Sequence, residues 1–289
     1  MEKVLKDKKR FLPRTNKGPV LIAFIIFAVY AATLIFPLLW IFVQSFRTNR
    51  DFILSPFDFS NTIFTIKNYI YVTKTFNIVG MFVNSIIVAV GGTLTSVFAS
   101  CCAAYIVSRY EFKGRKFLYA LVVFVMIIPT AGSLAASYRL MNDWNLSGRY
   151  IGIIIKGATA FDYTFLLLYG FFKNISSAYA EAAKIDGAGH FKIFTKVMMP
   201  LALPSVVAVS IVGFIGKWND YINPYLYLRN HKTLSVGLYI LRSDIGTGSD
   251  ANLPALFALM VLATIPVIIL YSIFQKKIVE NTVAGGIKG

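Results

Sequence analysis

The sequence predicts an all-α integral membrane protein with six transmembrane helices and with both N and C termini in the cytoplasm. Three observations predict it. Residues AVILMFWYC make up 57% of the chain and DEKR only 15%, against roughly 25% charged in an ordinary soluble domain. The apolar residues gather in uncharged stretches that reach the roughly 20 residues needed to cross a bilayer core of about 30 Å. Lysine and arginine concentrate in alternate connecting segments, the pattern that fixes membrane orientation.

Stretches free of charge are Gly18–Phe46, Thr75–Ser108, Phe117–Tyr138, Val197–Gly216 and Ala251–Gln275. The second exceeds one span, so its residues up to about Ile78 are read as interfacial. A sixth span, Tyr150–Phe172, carries Lys156 and Asp162. Its flanking runs, Ile151 to Ile155 and Phe165 to Tyr169, fit no soluble loop. A charge at a helix centre costs about 2.5–3.5 kcal/mol on insertion scales, which is tolerable if it faces protein or water. The chain then divides into a basic cytoplasmic segment (1–17), a first span (18–46), an extracytoplasmic loop (47–78), a core of five spans (79–275) and a cytoplasmic tail (276–289).

The N-terminal segment, the 109–116 and 173–196 loops and the tail together hold 18 basic residues. The remaining loops, longer in total, hold 10, which places both termini in the cytoplasm. The net charge of +16 is explained by these loops. No basic face with interleaved aromatics points to nucleic acid. The first apolar run is too long for the core of a cleaved signal peptide and no small-residue cleavage site follows it, so it reads as a retained helix. Cys101 and Cys102 are adjacent in an apolar run and read as small hydrophobes. No P-loop, metal-ligand cluster or catalytic constellation is visible. His190 and His231 fall on opposite sides of the expected membrane, so no metal and no catalytic residue is expected.

The 173–196 loop carries the most specific pattern. Ser176 and Ser177 suit a helix N-terminus, and the alanines of Ala178 to Ile185 favour helix. Gly187 can take the left-handed conformation that closes it. Phe191, Phe194 and Met198 recur at spacings of three and four, as on one side of a second helix. The object is a short helix, a glycine turn and a second helix entering the membrane. Small alanines let a partner's backbone approach, while Glu181 and Asp186 offer charge to its Lys or Arg. A plain connecting loop on the membrane surface satisfies the same helix signals.

The spacing is more specific. Glu181-Ala182-Ala183, then three residues, Gly187, nine residues, Val197, one residue, and Met199-Pro200 resembles the EAA loop of ATP-binding-cassette importer permeases. Val197 and Met199 stand where that family usually has Ile and Leu. Within the family the chain resembles the maltose-permease-like carbohydrate group over about residues 10–289. The resemblance includes Trp218-Asn219-Asp220-Tyr221, Leu234 to Leu238 and the glycine-rich ending Val283 to Gly289.

The resemblance implies a type I importer permease fold and a subunit without its own ATPase site. It implies a second permease, a heterodimer being expected, two ATPase subunits that use the ATP, and an extracytoplasmic solute-binding protein. Glu181, Ala182, Ala183, Asp186, Gly187 and Pro200 are the positions it assigns to ATPase docking, and the solute is expected to be a sugar or oligosaccharide. A non-sugar solute fits the same loop. A self-contained secondary transporter or channel leaves the loop spacing unexplained.

Polar residues in the spans are the candidates for a solute pathway. Lys156 and Asp162, six apart, project about 120° from each other on a helix, so one face does not present both. Lys156 also suits an interfacial position or a partner on a neighbouring helix. Asn84, Trp218, Asn219 and Asp220 are further candidates, with Tyr221 and Tyr225, although an interfacial aromatic belt gives the same composition. Gly148 and Gly152 form a small-xxx-small pair.

Overall fold

The computed structural model describes residues 17–60, 62–128, 132–247 and 252–286. The basic stretch 1–16 and the ending 287–289 lie outside them. The described helices are α1 (Lys17–Gln44), α2 (Asn49–Leu54), α3 (Lys67–Thr75), α4 (Ile78–Arg109), α5 (Arg115–Ile127), α6 (Ser133–Asp143) and α7 (Tyr150–Lys156). They continue with α8 (Tyr163–Asn174), α9 (Ala178–Ile185), α10 (His190–Asn219), α11 (Ile222–Tyr227), α12 (Leu234–Thr247) and α13 (Leu253–Gly286).

Among the described residues four helical stretches are long and apolar enough to cross a membrane: Gly18–Gln44, Ile78–Arg109, His190–Asn219 and Leu253–Gln275. The other two expected spans are not continuous helices. The 117–138 stretch breaks after α5, where Ile128 is extended (φ −76°, ψ 123°). The residue that follows in sequence is Pro129, and a residue before proline is pushed out of the helical region. The 150–172 stretch breaks between α7 and α8, over Gly157 to Asp162. Lys156 therefore ends one helix while Asp162 caps the next, and the 120° projection on a single helix does not apply.

Two compact units can be distinguished. The smaller comprises the chain up to Tyr69 with Leu253–Val261, and the larger comprises Ile70–Asn252 and the chain from Leu262 onward. In the smaller unit, α1 exposes its apolar side chains from Val20 to Leu39 on all sides, as suits a lipid-bathed helix. The segment after it folds around Arg47, whose side chain is 0% exposed. Its guanidinium donates to the carbonyl oxygens of Pro56 (3.1 Å), Asp51 (3.2 Å), Ser55 (2.9 Å) and Asp58 (2.9 Å), and to Oε1 of Gln44 (3.2 Å). The ring of Phe59 lies 4.9 Å from it. The five-donor fork suits this task because it satisfies several backbone acceptors at once. Asn68 fastens the same segment, donating to the carbonyls of Ser45 and Arg47. The Asp58 carboxylate accepts from the Ser60 hydroxyl and amide, which hold its pKa below the usual range.

The larger unit is organised on α4. Its buried positions include Ser85, Ala89, Gly92, Ser96, Ser100 and Ala104, a row of small residues at helical spacing. Where lipid gives little hydrophobic drive for helix association, small residues let helices approach closely. Gly91 leaves room for Ile154 of α7, whose Cδ1 would lie 2.7 Å from an added Cβ. Gly92 likewise admits the methylenes of Lys217. The end of the core nearest α9 joins Cys101 and Tyr105 of α4 to Phe165, Leu168 and Phe172 of α8 and Met198 and Ala202 of α10. Gly148 and Gly152 serve a turn rather than a helix pair. Gly148 has φ +79° and donates to the Tyr227 carbonyl, while a Cβ on Gly152 would meet the Leu146 carbonyl at 2.2 Å.

Arg47→Met removes every one of these donors, leaving the Pro56 carbonyl only the Gln44 amide, Asp51 and Ser55 only their neighbouring turn donors, and Asp58 only the Thr62 hydroxyl. Since a hydrogen bond to a charged group contributes about 1.5–3 kcal/mol, the expected loss of stability is at least about 3 kcal/mol. It is read as a lowered thermal midpoint of the detergent-purified protein. Arg47→Lys, with fewer donors, recovers only part.

Candidate functional site

Two places gather the residues singled out by sequence. The first is the loop between α8 and α10. α9 starts after Ser176 and Ser177, and its capping differs in detail from the sequence reading. Ser177 has helical backbone angles and makes no side-chain cap bond, whereas the Ser176 hydroxyl accepts from the Ala178 amide (3.3 Å). At its other end Gly187 adopts φ +76°. Its amide donates to the Lys184 carbonyl (3.0 Å) and the Ala188 amide to the Ala183 carbonyl (2.9 Å). These paired bonds are a Schellman closure, which needs a left-handed residue and so favours glycine.

The motif is split between two faces. Ala180 and Ala183 pack against the core shared by α4, α8 and α10. Glu181, Ala182, Lys184, Asp186 and Gly187 are exposed. Ile185 is 87% exposed beside them, and Phe191 of α10 is 80% exposed. Phe191 therefore does not share the buried face of Met198, as its sequence spacing had suggested. A five-residue π-helical turn, Phe194–Met198, intervenes and shifts the register. Its cause is Pro200: proline supplies no amide and its ring collides with the carbonyl four residues back, that of Lys196. The wider turn, closed by the Met199 amide on the Phe194 carbonyl, relieves the collision. So α10 runs unbroken from His190 into the span, seven residues before the sequence-based boundary at Val197.

The loop is tied down at its edges. Arg109, at the end of α4, donates to the Ile175 carbonyl. The Tyr110 hydroxyl and Nδ1 of His190 lie 2.9 Å apart.

The second place is a cavity of about 250 Å³ inside the larger unit, whose lining includes Gly92, Lys156, Thr159, Lys217, Asp220 and Asn223. Lys156 Nζ donates to Asn223 Oδ1 (2.9 Å) and lies 5.3 Å from the Tyr227 ring centre. Asn223 in turn donates its side-chain amide to Asp220 Oδ2 (2.6 Å) and its backbone amide to Oδ1 (3.1 Å). Lys217 is half-buried and feels the charges of Asp162 and Asp220. Asp162 is the N-cap of α8: Oδ1 accepts from the Phe165 amide (3.2 Å) and the Ser100 hydroxyl (3.2 Å), and Oδ2 from Thr159 (3.0 Å).

The other candidates are elsewhere. Asn84 uses both ends of its amide on protein, donating to the Lys232 carbonyl (2.8 Å) and accepting from the Tyr150 hydroxyl (2.6 Å). Trp218 is 3% exposed, stacks on Phe214 and donates to the Ala263 carbonyl (3.1 Å); it is interior, not part of an aromatic belt. Asn219 is exposed and does not line the cavity. Tyr221 stacks on Tyr239 instead. Sequence reasoning missed Lys217 and Asn223 as site residues. Asn223 stands three residues after Asp220, the spacing at which an aspartate caps an amide. Among the described residues no group of three or more His, Cys, Asp or Glu is placed to hold a metal ion.

The sequence profile described as "Binding-protein-dependent transport system inner membrane component" matches residues 96–282. The polygalacturonan/rhamnogalacturonan transport system permease protein of Bacillus subtilis is 31% identical, over 90% of this chain and 95% of its own. The trehalose/maltose transport system permease protein of Thermococcus litoralis is 30% identical, over 88% and 92%. The diacetylchitobiose uptake system permease protein of Streptomyces coelicolor is 29% identical, over 89% and 85%. A chain in the crystal structure of a bacterial ABC transporter involved in the import of the acidic polysaccharide alginate superposes with a TM-score of 0.75. It covers 92% of this chain and 98% of its own, at 23% identity, and so speaks to the fold. Profile, relatives and fold agree, and this multi-pass membrane protein belongs to the inner-membrane permease components of binding-protein-dependent ABC transport systems.

Proposed function

We propose that the chain is the transmembrane permease subunit of an ATP-driven importer for a sugar or oligosaccharide, with α9 as the element that couples it to ATP hydrolysis. The observation that carries the reading is α9 itself: a short helix closed by Gly187, with one face on the core and the other exposing Glu181, Ala182, Lys184, Ile185 and Asp186. The sugar assignment draws support from relatives named for diacetylchitobiose, trehalose/maltose and polygalacturonan/rhamnogalacturonan.

In this reading the outward face of α9, with Gly187 and Phe191, enters a groove of an ATPase subunit, and Pro200 sets the turn that carries the movement into the span. Ala183 acts from the other side, holding α9 on the core. Two ATPase subunits bind and hydrolyse the ATP, a second permease completes the pathway as a heterodimer, and an extracytoplasmic binding protein delivers the solute. The chain crosses the membrane six times, the α5–α6 and α7–α8 pairs each making one broken crossing. Both termini lie in the cytoplasm, in keeping with the basic loops. The divisions at 1–17, 18–46, 47–78, 79–275 and 276–289 follow. Along the pathway Asp220 and Asp162, with Lys156 and Lys217, offer polar edges to solute, whereas Asn84 and Trp218 fix helix packing.

Gly187→Pro tests the coupling. Proline cannot adopt the positive φ and has no amide to offer Lys184, so α9 loses its closure. The protein is expected to insert and assemble normally, while solute-loaded binding protein no longer stimulates ATP hydrolysis and uptake falls at least about ten-fold, which corresponds to about 1.4 kcal/mol of lost coupling. Undiminished uptake by this variant refutes the role of α9.

Asp162 separates cap from solute ligand. Asp162→Ala removes the cap and is expected to cost about 1 kcal/mol of stability, whereas Asp162→Asn keeps one acceptor for the Phe165 amide and costs less. If Asp162 also meets solute, Asp162→Asn reduces uptake with the thermal midpoint nearly unchanged. Parallel losses of stability and uptake in both variants reduce it to a cap.

A further inference from the structure

A larger cavity lies away from both places above. It has a volume of about 600 Å³ and sits where the 109–116 loop meets α5 and the end of α8, in the range of about 300–1,000 Å³ typical of ligand sites. Its lining includes Arg115, Lys116 and Lys173, against a single carboxylate, Glu111. Tyr119 and Tyr169 also line it, their ring centres 4.6 Å apart, and Lys173 Nζ lies 5.8 Å from the Tyr169 ring centre. Among the described residues no carboxylate pairs with Lys116 or Lys173, and the Arg115 guanidinium reaches only the Tyr110 carbonyl, at 3.5 Å. Phe112 and Phe117 stand beside these cations and are 42% and 71% exposed.

The position matters as much as the charge. α4 ends at Arg109 and the uncharged part of α5 begins at Phe117, so the cavity lies at the boundary between polar loop and apolar span. Three cations at that depth, with two exposed phenylalanines beside them, match a molecule with a phosphate at the interface and hydrocarbon below it. A free phosphate would use the cations but leave the phenylalanines exposed to no purpose.

We propose that this cavity binds the headgroup of an anionic glycerophospholipid. Arg115, Lys116 and Lys173 hold the phosphate, Tyr119 and Tyr169 support the glycerol region, and Phe112 and Phe117 meet the first acyl methylenes. Lys173 belongs to the last turn of α8, shortly before α9 begins, so an occupied site stiffens the base from which α9 projects. The site rests on the membrane placement of the chain and is independent of which solute is carried.

The test uses the whole complex purified through this chain from its native membrane, placed in nanodiscs of phosphatidylcholine containing phosphatidylglycerol, with retained lipid counted by native mass spectrometry. Each basic residue near an anionic lipid is worth about 1 kcal/mol, or about five-fold in affinity. Lys173→Gln is therefore expected to lower phosphatidylglycerol retention about five-fold, and Lys116→Gln with Lys173→Gln about twenty-five-fold. Arginine at both positions restores retention and shows that folding is intact. Lys113→Gln, on the same loop but outside the cavity, leaves it unchanged. Unaltered retention in the double variant overturns the site. So does an equal loss with Lys113→Gln, which makes the effect a diffuse basic surface. Displacement of the lipid by millimolar inorganic phosphate also overturns it, as the cavity is then an anion site without lipid.

Discussion

The rest of the structure depends on one constraint: within a bilayer every backbone amide and carbonyl must find a partner inside the protein. A continuous helix such as α4 meets it alone, while α1, α10 and α13 do so apart from the carbonyls facing Pro37, Pro204 and Pro266. The gap between α7 and α8 does not meet it alone. There the hydroxyl of Ser100 on α4 reaches the Thr159 carbonyl (3.2 Å) and also Asp162, while Asp162 supplies the acceptor for a free amide in the first turn of α8. A charged residue in an apolar stretch thus becomes intelligible as the cap that allows a helix to restart within that stretch. The small residues of α4 follow from the same need, since only a close approach brings Ser100 to the broken backbone.

Where the chain leaves the membrane, the same accounting passes to Arg47. The loop after α1 has little regular structure to pair its carbonyls, and one guanidinium takes the place of a ladder. This is a different solution from a salt bridge: the charge is dispersed over neutral oxygens, so no buried carboxylate is required. An arginine in this role is buried with both terminal nitrogens hydrogen-bonded, its Nε alone lacking a partner, which lowers the penalty of an interior charge.

Much of this was legible in the sequence. Uncharged stretches located the continuous spans, and Asn77, ahead of Ile78, caps α4 where the apolar run was expected to stop being interfacial. Gly187 closed α9 as its neighbours implied. The helix breaks were not legible from hydropathy, because Ile151–Ile155 and Phe165–Tyr169 read as one span when averaged across Gly157 to Asp162. The facing of Phe191 was lost for a local reason. A counting rule of three and four assumes an α-helix, and Pro200 imposes a π turn between Phe191 and Met198. Lys217 escaped because charge ends an apolar stretch by definition, whereas its methylenes lie along Gly92. Side-chain snorkelling of this kind hides the true end of a span from composition.

These features bear on how movement passes through the chain. Ala180 and Ala183 fix α9 to a core that also contains Phe172 of α8, Tyr105 of α4 and Met198 of α10. The Schellman turn joins α9 to α10 without slack, and α10 continues unbroken to Asn219, beside the cavity. A push on the exposed side of α9 therefore reaches a packed junction of three helices, and close-packed interiors shift between discrete arrangements more readily than they deform. The far end of α10 carries Lys217, within the electrostatic reach of Asp162 and Asp220. A displacement of α10 along its axis would move Lys217 and so change the polarity of the cavity that Lys217 and Asp220 line. In the role proposed for α9, coupling of loop to cavity would run along one helix, α10, which carries the π turn near its start and Lys217 near its end.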